Sequence, residues 1–498
     1  MIEQVRRFLI GDPLSTDAAS HERLNRGQAL ALLSSDALSS VAYATEEILA
    51  VLVVAGTATL SLAPPLALAI SALVAVVITS YYQTIHAYPK GGGAYLVSLG
   101  NLGTNAGLVA GAALLIDYVL TVAVSISAGI AAVTSAFPAL LPHRVALALA
   151  ALALVTVVNL RGLRESGRAF ALPTYFFVFA IFSMIIVGLV RAATGSIPMP
   201  HYTATESLTS LGALPLFLIL RAFSSGCTAL TGIEAISDGV TVFRKPEAKN
   251  ATATLVWMGA LLVAMFLGLT FLADYLSLVP QEGETVVSQI ARAVFGDGVL
   301  YYIVQAATTL ILLLAANTSF SDFPRLANFI ARDRFLPARF THLGDRLVFS
   351  SGIQALALTA GALIVIFGAQ PHALIPLYAV GVFVSFTLSQ SGMVLHWMKL
   401  RTTSWRRSAI LNAVGALTTG TVMVVVAVTK FTQGAWITLL LIATLVVLFR
   451  QIRSHYDTVT AQLSLEKAWP EPIHRHTVIV PIDTIHRGVV KAMNYAKS

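Results

Sequence analysis

Several carboxylates lie inside long apolar stretches of this chain, where a charged side chain is costly. Asp36, Asp117, Glu234 and Asp238 are among them. A charged residue at the centre of a membrane helix costs roughly 2.5–3.5 kcal/mol on insertion scales, so such residues mark functional sites by default. A carboxylate in such a place can attract a cation or exchange a proton. The sequence therefore predicts an intramembrane site for small positive ions.

Asp117 begins a regular row of oxygen-bearing side chains. Thr121 and Ser125 follow it at i+4 and i+8, which places all three on one face of a helix. A lone Thr or Ser in a helix usually bonds back to its own backbone, but the aspartate on the same face favours a polar path. Carboxylate and hydroxyl oxygens suit alkali or alkaline-earth cations, and the single cysteine, Cys227, excludes a thiolate cluster.

Two segments are predicted to interrupt membrane helices and to position these residues. SSDALSSVAY (34–43) and SSGCTALTG (224–232) place small and hydroxyl residues in the middle of apolar stretches. DALSSV (36–41) aligns with TALTGI (228–233), five stretches apart, as in inverted repeats whose first and sixth helices are broken. A chance match between helix-packing motifs is the alternative. An acid in the first break disfavours a carboxylate substrate and favours a cation.

The composition requires a polytopic membrane protein. Of 498 residues, 56% are apolar and only 11% are charged, against roughly 25% charged residues in soluble domains. The polar N-terminus predicts no cleavable signal peptide. Twelve stretches have the length of a spanning helix. They lie near 29–55, 64–86, 105–136, 145–160, 170–191, 210–241, 252–274, 298–324, 352–370, 373–397, 409–430 and 434–450.

The basic residues predict the orientation of these stretches. With the N-terminus inside, 27 of the 32 Lys and Arg residues fall on the cytoplasmic side and four fall outside. This split follows the positive-inside rule, so the net charge of +8 needs no nucleic-acid partner. We expect a multi-pass protein of the plasma membrane with both termini in the cytoplasm. Arg221 falls within a stretch, where it either pairs with an acid or screens the site.

Three domains are expected along the chain: a cytoplasmic segment over 1–28, a transporter domain over 29–451 and a cytoplasmic tail over 452–498. The tail sequence from 476 reads as one strand and one amphipathic helix, the first unit of a truncated α/β domain. The Gly-rich stretch 88–95 predicts a tight turn that allows close approach of helices. Glu46 and Glu47 are expected to face an external vestibule.

Long blocks of the sequence resemble one known family in order along nearly the whole chain. SSDALSSVAY, AYPKGGGAYLVS, SGCTALTGIEAIS, LAANTSFSDFPRLA, DRFLPARF and LIPLYAVGVFVSFTLSQ are similar to the KimA-type potassium importers of the KUP family, within the amino acid–polyamine–organocation superfamily. The resemblance implies a LeuT-like fold with a 5+5 inverted repeat plus two helices. It also implies a homodimer with a tail domain like universal stress proteins, which the shortened tail puts in question.

The resemblance also implies a function and a set of residues. The function is potassium import by alternating access, as a K+/H+ symporter, with no enzymatic activity and no cofactor; potassium, protons and lipid are the expected partners. An amino-acid or polyamine permease of the same fold is the alternative. Glu234 is expected to couple protons, with Asp36 or Asp117 as alternatives. The expected potassium-binding residues are Asp36, Tyr43, Asp117, Thr121, Ser125, Thr231 and Tyr378.

Overall fold

The computed structural model describes residues 23–89, 91, 93–162, 167–196, 216–401, 404–464 and 487–497. The chain divides into two compact units, Met1–Ile452 and Arg453–Ser498. Within the described residues, ten helical segments are long and apolar enough to cross a membrane. They are Thr57–Ala87, Thr104–Ala136, Pro138–Leu160, Ala171–Ala193, Leu216–Asp238, Glu247–Tyr275, Val299–Arg332, Pro371–Leu400, Trp405–Thr429 and Ala435–Gln462.

Two further segments bring the count in the described residues to twelve, which we call spans 1 to 12 in chain order. Span 1 precedes Thr57–Ala87 and consists of three helical pieces: Arg26–Leu33, Ser35–Ser39 and Val41–Leu52. Span 9 is the 17-residue helix Ser350–Ile366. Shorter helices run over Gly93–Leu102, Val286–Phe295 and, in the tail, Arg487–Lys497. The predicted all-helical membrane fold with interrupted first and sixth spans is confirmed.

Span 1 is interrupted because its serines take over hydrogen bonds from the backbone. The helix starts with a capping box in which Asn25 and Gln28 bond to each other's backbone amides. The hydroxyls of Ser35, Ser39 and Ser40 donate to carbonyls three residues earlier, at 2.6–3.1 Å. Side chains that satisfy freed carbonyls make a break tolerable inside a membrane.

Span 6 is broken more completely, and a glycine makes the break possible. Its helix Leu216–Gly226 passes into a 3-10 turn, Cys227–Leu230, and Thr231 is extended. Gly232 then adopts a φ of +77°, a conformation that residues with a Cβ rarely adopt. The hydroxyls of Thr228 and Thr231 again donate to carbonyls three residues earlier.

The spans differ in how much of their surface is covered by protein. In span 3, 89% of the most apolar window is buried, against 17% in span 4. Span 3 therefore lies at the centre of the bundle, where its polar row is kept from lipid. Outer spans instead expose large apolar side chains, as expected for surfaces that contact acyl chains. Examples are Leu172, Phe179, Trp257, Leu358 and Leu417.

Span 8 is longer than the sequence indicated. The predicted stretch ended at 324, and the following residues were expected to leave the membrane region. The helix instead continues through Pro324 to Arg332. A proline removes one backbone hydrogen bond, which kinks a helix without ending it when neighbouring helices support it. As a result, Asp322 is buried inside the bundle with 7% of its surface exposed.

The terminal predictions fall largely outside the described residues. Residues 1–22 lie outside them, as does the strand that was predicted from 476. The predicted amphipathic helix of the tail is present as Arg487–Lys497. The three-domain division and the relation of the tail to a universal-stress-protein-like domain therefore stay predictions.

Candidate cation site

The two interrupted spans meet at the carboxyl group of Asp36. A Cβ placed on Gly232 would lie 2.7 Å from the Cγ and Oδ2 atoms of Asp36, so the acid rests directly on the backbone of the span 6 break. Asp36 is 6% exposed, and its Oδ1 atom has no hydrogen-bond partner within the described residues. A buried carboxylate oxygen without a partner is costly, which makes it available to a cation or a proton.

Hydroxyl groups join the two breaks on either side of Asp36. The Ser40 hydroxyl lies 3.3 Å from the backbone carbonyl of Ala229 in span 6. Tyr43 lies close to Thr231 and Asp36. The side chains of Tyr43 and Thr231 are buried, at 4% and 1% exposure. The structure therefore places Asp36, Tyr43 and Thr231 near one another.

The predicted row on span 3 faces the same region. Asp117, Thr121 and Ser125 are each 1% exposed. The Thr121 hydroxyl donates to the hydroxyl oxygen of Tyr378 in span 10 over 2.9 Å. Tyr378 lies within electrostatic reach of Asp36 and Asp117. Six of the seven predicted potassium ligands are thus linked by contacts or electrostatic proximity.

Ser125 is the seventh. It lies two helical turns from Asp117 in the core of the bundle, and its hydroxyl has no partner in the part of the chain that the structure describes. No contact in the described residues joins it to the other six side chains. The structure therefore places Ser125 on the predicted face without connecting it to the site.

Asp117 and Glu234 form a pair of buried carboxyl groups. The two side chains lie within electrostatic reach of each other, and Asp117 Oδ1 and Glu234 Oε2 have no hydrogen-bond partner within the described residues. Two neighbouring ionised carboxylates repel each other, so a proton on one of them relieves that repulsion. The predicted ion-binding row and the predicted proton-coupling residue therefore lie next to each other.

Asp322 is a site residue that the sequence reading missed. It lies within electrostatic reach of Asp36 and Glu234 and is 3.6 Å from the guanidinium of Arg325. The signal was present: an acid that follows an apolar run and lies one helical turn before an arginine. The predicted stretch 298–324 contained Asp322, but the acid lay near its end, next to the basic loop expected to follow.

Asp238 was noted as an intramembrane acid and now has identified neighbours. The Tyr118 hydroxyl donates to its Oδ2 over 3.2 Å. A Cβ on Gly91 would lie 2.6 Å from the Asp238 carbonyl oxygen, and one on Gly93 would lie 2.4 Å from its Oδ1. Both glycines have positive φ angles, of 75° and 48°. The Gly-rich turn therefore does allow close approach, and what it approaches is Asp238.

Glu46 and Glu47 are buried beneath the imidazole of His372, rather than facing an open vestibule. Their side chains are 8% and 6% exposed, and each bonds one ring nitrogen of His372 at the start of span 10. Arg221 has a buried Nε without a partner, and it lies near the ammonium of Lys430. No described ion pair joins Arg221 to an acid.

The arrangement suits a weakly held monovalent cation. Within the described ranges, no three His, Cys, Asp or Glu side chains converge to hold a metal ion. The site offers carboxylate and hydroxyl oxygens as possible ligands. Such hard oxygen ligands can replace part of the hydration shell of an alkali cation.

The chain is similar to known proteins in family, in sequence and in structure. A family model described as amino acid permease matches residues 24–449. The chain is 48% identical over 499 aligned residues to potassium transporter KimA of Bacillus subtilis (strain 168), covering 100% of this chain and 82% of that protein. A crystal structure of the Eremococcus coleocola manganese transporter covers 88% of this chain and 96% of its own, with 13% identity and a TM-score of 0.48.

Proposed function

This chain belongs to the amino acid permease family, and we propose that it is a secondary active transporter that imports potassium together with protons. The observation that carries the proposal is the 48% identity to a potassium transporter along the whole chain. The buried carboxyl groups at the two helix breaks agree with a cationic substrate.

Potassium is proposed to bind where spans 1, 3, 6 and 10 meet. An ion that enters from outside would pass Tyr43 and lose part of its hydration shell. It would then be held by oxygen atoms of the predicted set, with Asp36 opposite the span 6 break as the nearest charge. The proposed ligands are Asp36, Tyr43, Asp117, Thr121, Ser125, Thr231 and Tyr378.

Proton coupling is proposed to occur at the Asp117–Glu234 pair. Two neighbouring ionised carboxylates repel each other, so a proton on Glu234 would leave ionised Asp117 to face the cation. Both ions would then occupy the site together and leave it together on the inner side, as symport requires. Rocking of spans 1 and 6 against the other spans would expose the site to each side in turn.

The alternative is transport of an amino acid or a polyamine, as the description of the family model suggests. The position of Asp36 argues against an amino acid, because its carboxylate faces the break where a substrate carboxylate would bind. A polyamine would tolerate the acids. Competition between putrescine and rubidium, which stands in for potassium, separates these cases: a polyamine permease loses rubidium uptake to putrescine.

We extend the proposal to location and assembly. The distribution of basic residues supports a plasma-membrane protein with both termini in the cytoplasm. The resemblance to potassium importers supports a homodimer. Light scattering of the purified full chain in detergent tests the dimer; a monomer mass at all protein concentrations would refute it.

Growth of a potassium-uptake-deficient bacterium tests the function. We expect the chain to restore growth at low external potassium, and Asp36→Asn and Asp117→Asn to abolish that rescue at equal expression. Rescue by both variants at the parent's level would refute the proposed site. No rescue by a well-expressed parent chain would refute potassium import itself.

A further inference from the structure

His372 connects two separate elements at one end of the bundle. Its Nε2 atom lies 3.0 Å from Oε1 of Glu46, and its Nδ1 atom bonds Oε1 of Glu47. Both glutamates belong to Val41–Leu52, the last helical piece of span 1, whereas His372 is the second residue of span 10. The histidine therefore joins the last helical piece of span 1 to the start of span 10.

The exposed fractions of the three side chains show which of them faces water. The His372 side chain is 51% exposed, whereas the carboxyl groups beneath it are nearly covered. This end of span 10 lies opposite the basic loops, so it faces outside under the positive-inside rule. The ring therefore covers two buried acids and remains within reach of external protons.

Other fixed groups hold the glutamates in place. The second oxygen of Glu46, Oε2, accepts the backbone N–H of Val286 over 3.0 Å, at the start of helix Val286–Phe295. Glu47 lies near the ammonium of Lys430 and, toward the site, near Tyr43. Arg221 lies beyond Lys430. With the carboxyl positions fixed, the imidazole is the group that can leave.

Counting hydrogens shows what the closed contact requires. Each contact between a ring nitrogen and a carboxylate needs one hydrogen, and a neutral imidazole has only one N–H. The closed arrangement of three groups therefore holds one proton more than two ionised glutamates and a neutral histidine. A cation near a helix N-terminus opposes the helix dipole, so helix stability does not explain this histidine.

We propose that His372, Glu46 and Glu47 form a proton-dependent outer gate, which closes the path to the cation site when the ring holds both hydrogens. The inference rests on the proposed transport function and concerns control of its outer side. A water-exposed imidazole loses its second hydrogen above about pH 6.5, whereas water-exposed glutamates are ionised above about pH 4.3. Above about pH 6.5, closing the gate therefore takes up one proton, so alkaline external solution favours opening.

A thiol-accessibility experiment tests the gate in the full chain. Ala42 is buried one turn before Glu46 on the same helix face, and Cys227 is the single cysteine. Ala42→Cys in a Cys227→Ala background is reconstituted in liposomes and treated with an impermeant thiol reagent. Thr432→Cys, at an exposed position, corrects for the pH dependence of the thiol itself.

The two pH conditions give a measurable expectation. We expect the corrected labelling rate to rise between about pH 6 and about pH 8.5, by up to tenfold per pH unit above the onset. A corrected rate that does not change over this range would overturn the proposal.

Two substitutions of His372 give opposite expectations. The side chain of His372→Gln offers one NH2 group and one carbonyl oxygen, and the carbonyl oxygen cannot donate to a carboxylate. We therefore expect labelling to be fast at every pH. His372→Arg always has two N–H donors, so labelling is expected to be slow at every pH. His396→Gln, at the other end of span 10, is the matched control and should keep the parent's pH response. If His372→Gln kept that response, the histidine would be a static contact and the proposal would fail.

The readout also separates this proposal from potassium import. Labelling requires no substrate, so a pH-dependent rate in a chain that fails to transport rubidium leaves the gate intact and refutes the substrate. Conversely, rubidium uptake by a chain whose labelling rate does not change with pH would refute the gate and leave the transport function intact. Elution of each variant as the same single species as the parent confirms that it is folded.

Discussion

The carboxyl group of Asp117 in span 3 lies within electrostatic reach of that of Glu234, just beyond the break in span 6. This proximity links the row of predicted ion ligands to the proposed proton carrier, because a proton on Glu234 removes the repulsion between two neighbouring negative charges. We propose that Glu234 is protonated while ionised Asp117 faces the cation, so that both ions move in the same direction.

The first prediction concerns Glu234. Glu234→Gln keeps the size of the side chain and a hydrogen-bond donor toward Asp117 but cannot titrate. We expect rubidium uptake into proteoliposomes to lose its dependence on external pH. Glu282→Gln, which alters an exposed glutamate, should keep that dependence. A parent-like pH profile in Glu234→Gln would assign coupling to another group.

The second prediction concerns the charge at the helix breaks. A carboxylate attracts a cation 4 Å away by about 4 kcal/mol at an effective dielectric near 20. Asp36→Asn should therefore weaken apparent rubidium affinity by at least about a hundredfold, allowing for partial compensation by neighbouring acids. Asp274→Asn, at the end of span 7, is the matched control. Equal affinities for the two variants would exclude Asp36 as a ligand.

The third prediction concerns the hydrogen bond between Thr121 and Tyr378. A neutral hydrogen bond contributes about 1 kcal/mol, which corresponds to about a fivefold change in an equilibrium constant. Thr121→Val should weaken apparent rubidium affinity by about that factor, measured from the concentration dependence of uptake. Thr121→Ser retains the hydroxyl and should restore affinity. If both variants behaved alike, the hydroxyl would have no part in binding.

The fourth prediction concerns the break in span 6. Gly232→Ala adds a methyl group 2.7 Å from the Asp36 carboxyl, on a backbone with positive φ. We expect thermal denaturation in detergent to show a loss of about 2 kcal/mol or more in the free energy of unfolding, together with loss of uptake. Gly100→Ala meets open space on a helix and should be neutral or slightly stabilising.

Much of the fold followed from local patterns in the sequence. A run of about twenty apolar residues has few alternatives to a membrane helix, so each of the twelve predicted stretches overlaps a span, although spans 8 and 12 continue beyond theirs. The two helix breaks could also be predicted, because serines and a glycine are unusual in the middle of an apolar stretch. Asp36 and Asp117 stood out because each is an isolated acid within an apolar run.

Contacts between residues that lie far apart along the chain could not be predicted from the sequence. Asp117 and Glu234 belong to spans 3 and 6, and no local pattern specifies that they lie close together. Asp322 lay inside a predicted stretch but near its end and close to Arg325, so it was not singled out as an intramembrane acid. Glu46 and Glu47 looked exposed because their partner, His372, lies in span 10.

Equilibrium binding of radioactive rubidium to the purified chain tests the central claim most directly. The account predicts saturable binding that potassium displaces and putrescine does not. It also predicts that Asp36→Asn combined with Asp117→Asn abolishes this binding while the protein remains folded. Undiminished rubidium binding by that double variant would contradict the claim that the acids at the helix breaks hold the ion.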